Sequence, residues 1–120
     1  MDSNNPVIQL CIAGTRAEFE QRLEAARAFY QQAWQARQDD FDACVSAHYV
    51  ARFQADPAEA LRWNQIALDA ARAVNDERVK DFYPSLYLNL GQAHEKLGNQ
   101  SEAQEYYNLA AGLGFPHRGE

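Results

Sequence analysis

FYPSLYLNLGQAHEKLGNQSEAQEYYNLA, residues 82–110, carries two amphipathic segments separated by a Gly-Asn pair. Tyr83, Leu86, Tyr87, Leu90, His94 and Leu97 recur at intervals of three and four, which lines one face of a helix and requires a covering neighbour. Gly98-Asn99 then interrupts the pattern. Glycine accepts the left-handed backbone that ends a helix, and Asn99 followed by Glu102 has the form of a capping box for the next one. The spacing predicts two antiparallel helices joined by a very short turn. Gly91 and Ala103 are expected at their crossing, small against small, because a larger side chain would hold the backbones apart.

Composition agrees with an all-helical chain. The 120 residues suit one domain, Ala is frequent, and β-branched residues are few and scattered. Lys and Arg number 11 against 17 Asp and Glu, a formal charge of -6. Binding to a nucleic-acid backbone needs clustered cations, so no nucleic-acid partner is expected. The apolar piece Val7 to Ala13 is too short to cross a bilayer and lacks a signal-peptide pattern, so no membrane association and a cytoplasmic location are expected. Cys11 and Cys44 form no metal-binding spacing and read as reduced, packed thiols.

Outward from residues 82–110, residues 1–14 read as a flexible N-terminal arm that lays Ile8, Leu10 and Ile12 against the helices and ends at Gly14. Thr15 with Glu18 has the form of a capping box for one long helix from Arg16 to about Arg37, with Phe19, Leu23, Ala26, Tyr30, Ala33 and Trp34 along it. Asp39-Asp40 caps a second helix containing Phe41, Cys44, Val45 and His48. Asp56-Pro57-Ala58-Glu59 is a strong start signal, with an Asp cap, a Pro at the first helical position and a Glu closing the box. A bent helix over 77–97, passing through Pro84, and a last helix ending near Gly112 complete a domain over 15–112, and residues 113–120 form a C-terminal tail. The expectation is an all-α fold of about five helices in antiparallel hairpins.

Leu90-Gly91, the Gly98-Asn99 turn, Ala103, Tyr107 and Ala110 together resemble the tetratricopeptide repeat, a helical hairpin of 34 residues. His94 stands where that family prefers Tyr, Tyr87 where Trp or another large residue is usual, and Phe115-Pro116 roughly where a closing Pro falls. A shift of 43 residues sets Ala103 on Ala60, Ala110 on Ala67 and Asn99 on Asp56, but Tyr107 on Asn64 and Gly91 on His48. The resemblance covers about residues 39–112 and implies a tetratricopeptide-like solenoid fragment of two hairpins, with the first helix as their neighbour.

What the resemblance implies about function is a noncatalytic module that binds a protein or peptide. In that family the first helices of the hairpins line a groove, and an Asn just before Leu-Gly clamps a bound backbone; Asn89 holds that position. Gln92 and Lys96 follow it on one helix face, and Tyr49 and Arg52 flank it from the preceding hairpin, with Ser46 in place of the second clamp Asn. An amide offers a peptide both a donor and an acceptor. The residues themselves show no P-loop, no HExxH and no converging carboxylate pair, so no enzyme, no cofactor and no metal site is expected. A structural or regulatory homodimer is the alternative, and a small enzyme ranks behind both.

Overall fold

The computed structural model describes residues 4–114, whose regular structure is entirely helical. Seven helices follow in order among the described residues: α1 Pro6–Phe19, α2 Leu23–Gln35, α3 Asp40–Ala51, α4 Pro57–Val74, α5 Glu77–Lys80, α6 Tyr83–Lys96 and α7 Gln100–Gly112. Side chains set four of the starts by accepting a first-turn N–H: Asn5 from Val7 at 2.8 Å, Asp39 from Asp42 at 2.8 Å, Asp56 from Ala58 at 3.0 Å and Asp76 from Arg78 at 2.9 Å. Pro6 and Pro57 each open a helix directly after such a cap, where their missing N–H has no intrahelical partner to lose.

Several expectations are corrected by this arrangement. From residue 6 onward the supposed arm is a full helix, started by Asn5 and Pro6. The single helix over 16–37 is two, divided at Gln21, whose φ of 61° is left-handed. Thr15 sits inside α1 rather than at a helix start, and its hydroxyl donates back to the Cys11 carbonyl at 3.0 Å. The bent helix over 77–97 is interrupted at Asp81-Phe82, leaving the four-residue α5 on its own. Asn99 does not cap α7 through its side chain; its amide meets His94 Nδ1 at 3.1 Å. Glu59 pairs with Arg62 at 3.2 Å instead of closing a box. Phe115-Pro116 and the remainder of the expected tail lie outside the described residues.

The helices pair as three hairpins, α1 with α2, α3 with α4 and α6 with α7; α2 packs on α3 and α6 on α4. In two hairpins the crossing is a tyrosine ring laid on a glycine. A methyl added to Gly91 would stand 2.5 Å from Tyr107 Cε1, and one added to Gly14 would run into the ring of Tyr30. The neighbour at the Gly91 crossing is thus Tyr107, not Ala103 as expected from size alone. The phenol is anchored at its far end: Tyr30 donates to Glu18 at 2.5 Å and Tyr107 to Glu95 at 2.6 Å, each pair 12 residues apart.

One core runs through the stack, with Val7, Ile8, Tyr30, Val45, Leu68, Leu86 and Leu90 buried and Ala26, Ala33, Ala47, Ala67 and Ala71 between them. Alanine at these places lets the helices approach closely. Each of the buried leucines contributes about 1.5–3 kcal/mol by leaving water. Because the crossing admits no side chain, Gly91→Leu is expected to lower stability by about 2–3 kcal/mol, whereas the exposed Gln92→Leu changes it by less than about 0.5 kcal/mol. Urea midpoints check this, and equal midpoints for the two variants would show that the crossing is not tight.

Candidate functional site

The three hairpins follow a common register, and the middle one departs from it. Gly14, Glu18, Ala26, Tyr30 and Ala33 recur 77 residues later as Gly91, Glu95, Ala103, Tyr107 and Ala110. Moved by 34 residues, the same positions fall on His48, Arg52, Ala60, Asn64 and Ala67. The glycine, the glutamate and the tyrosine are therefore all replaced in the middle hairpin, while both alanines are kept. Between Ala67 and Ala110 the interval widens to 43 because the segment containing α5 is inserted.

These replacements leave a polar recess. Among the described residues, two buried polar atoms have no hydrogen-bond partner, His48 Nδ1 and Asn64 Oδ1. Both belong to the replaced positions. The Asn64 side chain is only 4% exposed, and its amide donates to the Ala60 carbonyl at 2.9 Å, which fixes Nδ2 toward the helix and leaves Oδ1 as the free end. Asn64 lines a cavity of about 200 Å³ between the α3–α4 end and α6, together with Arg52, Gln54, Asn89, Gln92 and Lys96. No carboxylate lines it, although the chain as a whole is acidic.

Of the five residues singled out in the sequence, Asn89, Gln92, Lys96 and Arg52 meet at this cavity. Tyr49 does not. It stacks on Tyr30 with ring centroids 4.9 Å apart and lines a second, mainly apolar cleft of about 480 Å³ with Ile8, Cys11, Ile12, Thr15 and Phe19. Phe19 stands 90% exposed at that cleft. Arg52 is already engaged: it donates to Glu18 at 2.9 Å, so the same carboxylate holds Tyr30 and ties the first hairpin to the second. Lys96 is exposed, without that kind of tether.

Reasoning from the sequence missed Asn64. The 43-residue shift already set Asn64 on Tyr107, and the 34-residue interval from Tyr30 adds the second tyrosine once α1 and α2 are recognised as a hairpin.

The titratable groups are tuned by burial. Burial pushes the thiols of Cys11 and Cys44 up to about 12, with the charge of Asp42 adding to the effect on Cys11. Both cysteines are free and stay protonated at neutral pH, so neither is an active nucleophile. Tyr30 and Tyr107 are raised by burial and by their bonds to Glu18 and Glu95. Among the described residues no three His, Cys, Asp or Glu side chains gather as metal ligands would. Among the described residues no helix is long and apolar enough to cross a membrane.

With the geometry in place, the comparisons with known proteins are specific to one part of the chain. A tetratricopeptide repeat family model matches residues 84–113. That stretch is similar to a single tetratricopeptide repeat. The match spans α6, the Gly98 turn and α7, with Gly91 and Tyr107 at its crossing. No curated protein and no solved structure matched the chain.

His48 supplies a pH test. Burial, followed by the charge of Arg52, lowers its pKa, so the unfolded chain binds a proton more readily than the folded one. Stability is then lost as pH falls below the ordinary histidine value of about 6.5 and is restored above it. The urea midpoint is expected to drop between about pH 7 and about pH 5.5, a window above the carboxylate range, and to drop less in His48→Gln. An identical pH profile for the two proteins would remove His48 as the source.

Proposed function

We propose that the chain is a noncatalytic protein-interaction module that takes an extended peptide segment along α6, with Asn89, Gln92 and Lys96 in contact and Arg52 alongside. The observation that carries this reading is the convergence of those four side chains on one polar cavity beside a tetratricopeptide repeat. Repeats of this kind generally mediate protein contacts. Amide side chains at 89 and 92 supply donors and acceptors to a backbone, and the cation at 96 meets an acidic group. Tyr49 contributes from the separate apolar cleft, where it would cover an apolar side chain of the partner. Protonated buried thiols and the lack of a carboxylate in the polar cavity support a binding role over a catalytic one. Two free, buried cysteines also favour a reducing compartment, in keeping with the cytoplasm.

Panning a random peptide display library on the immobilised protein tests the reading. Enrichment of a recurring sequence is expected, with its affinity reduced about tenfold or more in Asn89→Ala/Gln92→Ala, the loss of one or two hydrogen bonds. Absence of any enrichment, or binding indifferent to the double substitution, would reject this face. Turnover of a small molecule by the purified protein would reject the noncatalytic assignment.

A second reading, a homodimer through the C-terminal end, is favoured by Leu109 and Leu113, which stand 41% and 50% exposed on the last hairpin with no further helix over them among the described residues. End repeats in solenoids usually carry a polar outer face. Light scattering over a concentration series is expected to show self-association that Leu109→Glu/Leu113→Glu abolishes; a monomer mass throughout would discard the dimer.

A further inference from the structure

We infer that Asn64 is the specificity-determining residue of the polar cavity and that the group it selects is a primary carboxamide, the side chain of an Asn or Gln in the bound peptide. The inference rests on the peptide-binding reading above and adds to it the identity of the group that reaches the floor.

In the first and third hairpins a phenol fills the register position of Asn64 and its hydroxyl is held by a glutamate. In the middle hairpin the ring is absent, Asn64 is shorter, and Arg52 stands where the glutamate would be. A buried polar atom without a partner destabilises the fold. A sequence that places one at a helix crossing, beside a cavity lined by Asn89, Gln92 and Lys96, departs from the pattern that stabilises its two neighbours. Such departures mark functional positions.

The chemistry of the cavity selects among groups. Asn64 Nδ2 is committed to the Ala60 carbonyl, so Oδ1 is left as a buried acceptor that requires an N–H or O–H donor. At Oδ1 a carboxylate would set oxygen against oxygen, so an acidic group of the peptide belongs at the exposed Lys96 and not at Asn64. An ammonium or guanidinium has the donor but enters a cavity that already holds Arg52 and Lys96 and no carboxylate. A carboxamide is neutral and carries both functions, donating its NH₂ to Asn64 Oδ1 while its carbonyl accepts from Lys96 or from the amides of Asn89 and Gln92. The space of about 200 Å³ has room for such a side chain.

The test uses the whole protein labelled for NMR and titrated with N-acetylglutamine methylamide, with the glutamate and alanine equivalents as controls. Saturable shifts at the side chains of Asn64, Asn89 and Gln92 are expected for the glutamine probe, and affinity about tenfold weaker for the controls, the difference one hydrogen bond makes. Asn64→Leu, similar in size and without the acceptor, is expected to erase the preference while its thermal unfolding remains cooperative. Asn64→Ala serves in its place if the leucine variant does not fold. Equal affinity for the three probes, no saturable shift up to the solubility limit, or an undiminished preference in the Asn64 variants would overturn the inference and leave water as the partner of Oδ1. Peptides that enrich in panning and lose affinity in Asn89→Ala/Gln92→Ala, yet show no carboxamide preference, would reject this inference alone. Carboxamide binding without peptide enrichment would instead reject the peptide-binding reading.

Discussion

A tyrosine ring resting on a bare glycine backbone is the contact on which the architecture depends. It fixes both the separation of the two helices and their axial register, because the ring has room at only one place along the facing helix. The glutamate one turn beyond the glycine then receives the phenol hydroxyl, so the same tyrosine is gripped at its face and at its tip. Alanines one turn to either side of it can pack only because that spacing is already set. The hydrophobic core is correspondingly built from small residues and a few large ones, and it derives specificity from close approach more than from bulk.

The middle hairpin stands between two that satisfy this rule and breaks it at three linked positions. His48, Arg52 and Asn64 are not three independent changes, since removal of the ring leaves the glutamate without its partner and the glycine without its reason. Arg52 is then free to reach across to Glu18, which couples the first hairpin to the second. A structural device within one repeat has been exchanged for a tether between repeats and a polar recess.

Much of this was legible in the sequence where a local signal and the tertiary role coincide. Gly98 takes the left-handed turn expected of it, Asp39 and Asp56 cap the helices they precede, and the spacing of Asn89, Gln92 and Lys96 placed them on one face. The first hairpin was hidden because its signals pointed elsewhere. Gly14 reads locally as a helix end, although it is needed as a surface for Tyr30, and Asn5-Pro6 is a start signal as good as Asp56-Pro57 but lies close to the beginning of the sequence. Tyr49 was placed by register with the other candidate contacts, yet stacking on Tyr30 carries it into the apolar cleft. No local pattern identifies Asn64, whose significance comes from a ring that the neighbouring hairpins have and this one lacks.

The turn at Gln21 has a consequence for how readily its hairpin closes. Gly98 adopts its left-handed conformation without strain, whereas Gln21 does so with a full side chain at φ 61°, at a cost of about 1 kcal/mol. The third hairpin therefore possesses a turn that favours closure from local sequence alone. In the first, the turn opposes closure locally, and the Gly14–Tyr30 crossing is reinforced by contacts that form once α3 is in place, chiefly the Tyr30–Tyr49 stack and the Arg52–Glu18 pair. The local turn chemistry thus favours closure more at the C-terminal end of the described chain than at the N-terminal hairpin.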